Sequence, residues 1–488
     1  MKDNSIYDTQ LNDVEYVYKV MLFNNDGVSV VLSQDAIKVM VIKDSILTPF
    51  SEGYIILDNK QNVLQRGSKL NSKDVEARFD FNLGNNDYVL IEVTPKYYAS
   101  QTENDVSGKR WTLSRTFSIY NTEDLESERP DDKFKKLYLW DIDKMDMVEK
   151  VSDFSTANNQ ENNAIPPYKR DDEDRMQFTG DAMRSIIKES LKDPEFDDVW
   201  DTGNNQTFYT SPINATYHKD LMNIYGMHQG SVTNDFCILS KTNYDDKWKL
   251  EKFSSIAEKS LNQSNKSESG EYQSEAFILA EGGEAIKIPL AKRVPTDYGF
   301  EKNTFFGDLS KLEDYRLIEL SKMDAMESMV TYVAHSYDNN KGKFRIEHYD
   351  VSDTKKFYEE NYSDKMKFGK LKNASTFYVD DNRLDNKNNL HTYTPLYTTE
   401  NTLEYISRNK VLRSAYTLNV ALEFSAVGMT HRKTGEFFSV QRENSYVPSE
   451  FESKLQGQWL YVSVEHVFTG NTYSNNIVGV KLNKLDNL

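Results

Sequence analysis

The sequence predicts an α+β protein that is mainly β: two antiparallel β-barrel domains, a mixed α/β middle domain and a mixed insertion. Three observations lead there. The C-terminal run from Val411 to Leu482 places apolar residues at every second position, with Gly, Asn and Thr breaks between segments, the pattern of an antiparallel meander with one wet face. A second alternating set occupies the N-terminal end. Between them lies a stripe of helical period, Met183, Ile186, Ile187 and Leu191. The organisation read from these is 10–120 first barrel, 121–175 polar surface excursion, 176–274 mixed α/β middle domain, 275–300 start of the second barrel, 301–404 inserted mixed region, and 405–488 remainder of the second barrel.

In chain order, residues 14–22 alternate and Asn24-Asn-Asp-Gly27 supplies a turn suited to positive φ. Val28–Val30–Leu32 and Ile37–Val39–Val41 with Ile46 follow, then a turn at Gly53 before Tyr54-Ile-Ile-Leu57. Tyr88-Val-Leu-Ile-Glu-Val93 and Trp111–Leu113–Phe117–Ile119 complete the first set. Charged runs such as Glu126-Ser-Glu-Arg-Pro-Asp-Asp132 mark the surface excursion, interrupted by a strand-like Leu137-Tyr-Leu-Trp140. Thr179 is positioned to cap the periodic helix and Pro194 to stop it. A second helix is expected from His218 to Met227, a buried strand at Asp235-Phe-Cys-Ile-Leu239, and a hairpin from Glu275–Ala280 to Ala285–Leu290 around Glu281-Gly-Gly-Glu284. The insertion holds an amphipathic helix around Leu317–Met329 and two strands, Val330–His335 and Lys343–Tyr349. The C-terminal barrel runs through Val411–Phe424, Phe437–Val440, Leu455–Phe468 and Ile477–Leu482, with a break at Thr469-Gly-Asn471.

At 488 residues the chain is long enough for roughly two to four domains with cores of their own. Its net charge of −18 and lack of a long basic tract argue against sequence-specific nucleic-acid binding. The 30 Tyr and 25 Phe against a single Cys237 suit a sheet-rich fold that needs no disulfide. The start is polar and no apolar run reaches the ~20 residues of a membrane span, so neither a secretion signal nor a span is expected.

Catalytic, cofactor and metal residues are all expected to be none. The histidines at 218, 228, 335, 348, 391, 431 and 466 form no His-Glu-x-x-His pair and lie near no second Cys. His218 and His228 are ten apart, which does not bring them to one helix face. His466, alternating with Val464 and Phe468, reads as a hydrogen-bonded sheet histidine, and Cys237 between Phe236 and Ile238 as a small buried hydrophobe. Acidic runs such as Asp171-Asp-Glu-Asp174 and Asp197-Asp198 read as solvated faces. Phosphate-loop, dinucleotide-fold and nucleophile-elbow motifs are missing from the sequence.

Three stretches in fixed order carry a resemblance. Phe178-Thr-Gly-Asp-Ala-Met-Arg-Ser-Ile-Ile-Lys-Glu-Ser-Leu191, with Tyr209–Leu221 and Asn234–Leu239, is similar to the middle domain of the baseplate hub subunit of contractile-tailed bacteriophages. Trp248-Lys-Leu250 with Gly270–Leu279 resembles the segment by which that family enters its second barrel, and Leu455–Tyr473, with its Val464-Glu-His466, the strand and turn that close it. The excursion at 121–175 and the length of 301–404 depart from the family pattern.

The resemblance implies two barrels of the tail-tube type per chain and a homotrimer in which six similar barrels join a hexameric tail tube to a trimeric central spike. The partners implied are that spike or tail lysozyme, the tail tube protein, baseplate wedge proteins and the C-terminus of a tape measure protein. The location implied is the tail baseplate of the virion, after synthesis and assembly in the host cytoplasm. The expected function is therefore structural and not enzymatic. A tail-associated glycan hydrolase or carbohydrate-binding protein is the alternative, because aromatic-rich tail proteins bind sugars.

Overall fold

This computed structural model describes residues 16–24, 28–58, 67–69, 76–77, 87–95, 112–125, 134–156, 177–204, 206–207, 209, 211, 214–228, 230, 236–241, 247–253, 255–256, 275–279, 311–318, 332–338, 343–349, 375–378, 421–430, 432–441, 457–470 and 472–481. The chain is α+β and mainly β, with large antiparallel sheets and few helices.

The first module consists of β1 (Tyr16–Phe23), β2 (Val28–Leu32), a 3-10 turn (Gln34–Ala36), β3 (Ile37–Ser45), β4 (Thr48–Asp58), β5 (Gly67–Lys69), β6 (Glu76–Ala77), β7 (Tyr88–Pro95), β8 (Leu113–Leu125) and β9 (Phe134–Asp141). Its strands lie in the order β3-β4-β9-β8-β7-β1-β2-β5-β6, every neighbour antiparallel. Alternation does what the sequence requires: Val20, Leu22, Ile55, Val89, Ile91, Val93, Leu113, Phe117, Leu137 and Leu139 are fully buried on one face.

Two expectations are corrected here. Gly53 is no turn but an interior residue of β4; a Cβ there would lie 2.1 Å from the Val41 carbonyl oxygen, so glycine is needed for close approach of β3. The strand-like Leu137-Tyr-Leu-Trp140 is the core of β9, flanked by β4 and β8, so residues 121–125 and 134–141 continue the first sheet instead of leaving it. The reason is local. Leu137 and Leu139 supply two inward apolar positions, which suffice for a strand whose outer face is Lys136, Tyr138 and Trp140.

Asp141 caps α1 (Ile142–Glu149), its carboxylate accepting from the Asp143 N–H at 3.0 Å. The middle module follows with β10 (Gln177–Phe178), α2 (Thr179–Ser190), β11 (Phe196–Trp200), β12 (Gln206–Thr207), α3 (Tyr217–Met227), β13 (Cys237–Lys241) and β14 (Trp248–Lys252). The expected stripe holds: Met183, Ile186 and Ile187 of α2 are fully buried, against Leu221 and Ile224 of α3 and Leu250 of β14 in one core. Thr179, expected as a cap, is instead the first helical residue, and its hydroxyl meets His228 Nδ1 at 2.8 Å. Thr216 does cap α3, accepting from the Lys219 N–H.

Phe50 of β4 and Met147 of α1 belong to this middle core, Phe50 meeting the Trp248 ring edge-on at 5.7 Å. Lys241 fixes the same junction, with Nζ 3.1 Å from Asp141 and 2.8 Å from Asp143 while its side chain is 4% exposed.

The second module has β15 (Glu275–Leu279), β16 (Lys311–Ile318), β17 (Tyr332–Asp338), β18 (Lys343–Tyr349), β19 (Ser375–Tyr378), β20 (Ala421–Val427), β21 (Phe437–Gln441), β22 (Gly457–Thr469) and β23 (Thr472–Lys481). Six of these pair in a closed circuit, β15 to β16, β20, β23, β22, β21 and back to β15. Leu422, Phe424, Phe438, Val440, Trp459, Tyr461, Val464 and Ile477 fill its interior. β17 and β18 form the expected antiparallel pair, to which β19 adds in parallel.

The second arm of the expected hairpin, residues 285–290, lies outside the described residues; β15 itself runs parallel to both β16 and β21. The expected helix around Leu317–Met329 begins inside β16, where Tyr315 and Leu317 pack on the second core at a strand's spacing; residues 319–329 lie outside the described residues.

Candidate functional site: the seam between two β modules

One strand belongs to both β modules. The first half of β22 pairs with β21, from Gly457↔Val440 to Leu460↔Phe437, and the second half pairs with β3, from Ser463↔Ser45 to Thr469↔Val39. The change of partner falls at Val462, where the β22–β23 register shifts and the Val462 carbonyl accepts the Ile46 N–H at 2.9 Å. A bulge is the usual device for passing a strand from one sheet to another. Its side chains divide accordingly: Trp459, Tyr461 and Val464 enter the second core, and Phe468 the first.

Between those two sets sits His466, fully buried and opposite Ile42 of β3. Asn475 fixes its tautomer. The Asn475 Oδ1 accepts from the Met429 N–H at 2.7 Å and from Arg432 Nη1 at 2.8 Å, so the amide nitrogen donates to His466 Nδ1 at 3.0 Å. The ring therefore carries its proton on Nε2, and Nδ1 also meets the Tyr473 hydroxyl at 2.7 Å. Burial lowers the His466 pKa to about 4; Asp44 opposes this, while the cations Arg115 and Arg432 add to it. The expected hydrogen-bonded sheet histidine is what the structure shows.

Tyr473 stacks on Phe468 at 4.2 Å and takes the edge of Tyr16 at 4.7 Å. Tyr16 in turn donates its hydroxyl to the Gly428 carbonyl at 2.8 Å, a bond from the first strand of one module to a loop of the other. Gly428 lies flat against Tyr473, since a Cβ there would be 2.2 Å from the ring. On the first-module side Ser51 donates to the Asp44 carboxylate, Arg115 Nε lies 3.3 Å from Ser51 Oγ, and Ser463 Oγ donates to the Asp44 carbonyl at 3.2 Å. The seam is thus a backbone ladder with a buried polar and aromatic lock.

The outward face of the sheet is continuous across this seam. One transverse row reads Asn476, Glu465, Lys43, Glu52 and Trp140 by strand register. Beyond it Tyr120 stacks on Trp140 at 4.4 Å, with Lys144 over the Trp140 ring at 4.2 Å and Lys136 over the Tyr54 and Tyr138 rings.

The other singled-out residues fall elsewhere. His218 is half-buried beside Phe50, its pKa lowered by burial and by Lys144. His335 and His348 stand on β17 and β18; His391, His431 and Asp171–Asp174 lie outside the described residues. Asp197 and Asp198 are partly or fully exposed on β11, as a solvated face requires. Cys237 is buried as expected, but its company is not legible in the sequence: Asp201, His228 and Cys237 each place one ligand-type atom within 4.8 Å of the others. Their spacing fits no metal motif, because three separate elements bring them together.

No family model matches the chain, and no curated protein is similar to it in sequence. Solved structures similar to the chain include two tail proteins and a PdpA-VgrG complex. In particular, a tail protein from Neisseria meningitidis MC58 is similar with a TM-score of 0.45 and 8% identity over 96% of this chain and 98% of that one. The 43 kDa tail protein of prophage MuSo2 from Shewanella oneidensis is similar with a TM-score of 0.45 and 8% identity over 96% and 100% of the two chains. The half-lidded Francisella PdpA-VgrG complex is similar with a TM-score of 0.41 and 10% identity, over 98% of this chain and 61% of that one.

Proposed function

We propose that the protein is a structural virion component, a baseplate hub in which three chains form a ring that joins a hexameric tail tube to a trimeric central spike around a channel for DNA. The observation that carries this reading is the β22–β3 ladder, which makes two β modules one rigid wall. A chain that contributes two β units side by side lets a threefold ring present six lobes to a sixfold tube. The resemblance of Phe178–Leu191, Trp248–Leu250 and Leu455–Tyr473 to the hub family supports the same reading. The tail tube protein, spike or tail lysozyme, wedge proteins and tape-measure C-terminus are the partners proposed with it. A net charge of −18 suits a wall that repels passing DNA instead of holding it.

The test is the mass and symmetry of the purified full chain, alone and with its neighbouring spike protein. A threefold ring with a central channel is expected; a stable monomer in both conditions overturns the proposal.

The second reading, a tail-associated glycan hydrolase or carbohydrate-binding protein, has one observation in its favour. Glu189, exposed in the last turn of α2, has its pKa raised by partial desolvation and further by Asp153, while Asp153 accepts the Tyr217 hydroxyl at 2.7 Å. Release of reducing ends from peptidoglycan or capsule, abolished by Glu189→Gln, would establish that reading over the hub.

A further inference from the structure

We propose that Asp201, His228 and Cys237 form a binding site for a zinc-type divalent cation inside the middle module. The inference is independent of the hub reading, because it concerns one chain's interior. All three residues are buried, and one ligand-type atom from each lies within 4.8 Å of the others. His228 Nε2 is 3.6 Å from Asp201 Oδ1. A tetrahedral zinc with bonds of about 2.0–2.3 Å has ligand-to-ligand edges of roughly 3.3–3.8 Å, so the His–Asp edge is already at length and only Cys237 must draw in.

The surroundings aim these groups. Asp201 follows β11 with its N–H bonded to the Leu250 carbonyl at 2.9 Å and its Oδ1 accepting from the Gly203 N–H at 2.7 Å. Gly203 has φ +88°, and a Cβ there would lie 2.8 Å from His228 Cε1, so the turn leaves room for the imidazole. His228 closes α3, and its Nδ1 meets Thr179 Oγ1 at 2.8 Å. Donation from Nδ1–H to that hydroxyl leaves the Nε2 lone pair on the Asp201 side, the outer contact by which proteins orient a ligating histidine. Cys237 opens β13, with its carbonyl held by the Tyr225 hydroxyl at 3.2 Å.

One oxygen, one imidazole nitrogen and one sulfur make a mixed donor set that suits zinc, and not the all-oxygen preference of calcium or magnesium. Binding converts the Cys237 thiol to a metal-bound thiolate and releases one proton to solvent. Water fills the fourth position in this scheme, admitted beside Lys252, whose side chain is 27% exposed and whose Nζ lies 3.5 Å from Asp201 Oδ2. The ion would tie the loop after β11, the end of α3 and the start of β13 into one unit.

The test uses the full chain stripped of metal with a chelator, exchanged into chelator-free buffer under reducing conditions, and titrated with Co²⁺ as an optical probe and then with Zn²⁺ as the tighter-binding competitor. Expected are about one equivalent of cobalt per chain, a thiolate-to-cobalt charge-transfer band, and a higher thermal midpoint with zinc. Cys237→Ser should abolish the band and the midpoint shift, and Thr179→Val should weaken zinc binding by about 10-fold or more. Circular dichroism of metal-free Cys237→Ser, and of Cys237→Ala as a second thiol-free variant, checks that the fold persists. No thiolate–cobalt band in the folded wild type, or zinc uptake unchanged in the Cys237 and His228→Gln variants, overturns the proposal.

Discussion

Acid should open the seam through His466. Its pKa is about 4 in the folded chain against an ordinary value of 6.5. Above pH 6.5 the ring is neutral in both the folded and the unfolded chain, and it contributes nothing to pH dependence. As pH falls below 6.5 the unfolded chain binds a proton that the folded one refuses, so stability drops, and the loss levels off near pH 4. A proton added at Nδ1 would face the Asn475 N–H, which already donates there. From 6.5 to about 4, at about 1.4 kcal/mol per pH unit, the full loss is about 3 kcal/mol, most of it reached by pH 4.5. Urea midpoints of the full chain at pH 7 and pH 4.5, for wild type and His466→Gln, isolate this contribution, since the carboxylates titrate in both. The variant should start less stable and lose about 2–3 kcal/mol less on acidification. Hydrogen–deuterium exchange at the ring C2 reads the same pKa directly. Equal pH slopes for the two proteins, or a ring that titrates near 6.5, would refute the reasoning.

Two further outcomes follow from the same geometry. Gly428→Ala should cost about 1–3 kcal/mol by forcing a methyl into the Tyr473 ring, and Tyr473→Ala in the same chain should leave a double variant at least about 1 kcal/mol less damaged than the sum of the singles; additive costs in urea denaturation would count against the contact. Lys241→Met leaves the Asp141 carboxylate buried without its cation and should cost about 3–5 kcal/mol, part of which Asp141→Asn restores; an unchanged midpoint in the single variant would show that the buried pair does not hold the junction.

Much of the fold was legible because strands with a wet face print their period on the sequence. Val20 and Leu22, Val89 to Val93, and Gly457 to Phe468 all became strands. β9 was harder, because its apolar signal is just Leu137 and Leu139 within a charged stretch. Gly53 was misread because close backbone approach and a turn both ask for glycine, and the partner strand that decides between them is not a local feature. Thr179 failed as a cap because its hydroxyl is committed to His228, 49 residues away. The seam itself was out of reach: the alternation of β22 shows that it is a strand, but neither its two edges nor the change of partner at Val462 is written in its period. Asp201, His228 and Cys237 were invisible for the same reason, being neighbours in space alone.

The shared strand also decides how the molecule bears load. A force drawing the two modules apart along β22 would act parallel to the strand, so the seven register pairs from Ser463↔Ser45 to Thr469↔Val39 would resist together in shear instead of unzipping in turn. The same continuity removes any hinge at that point: a push received by one β module passes into the other as through a single plank.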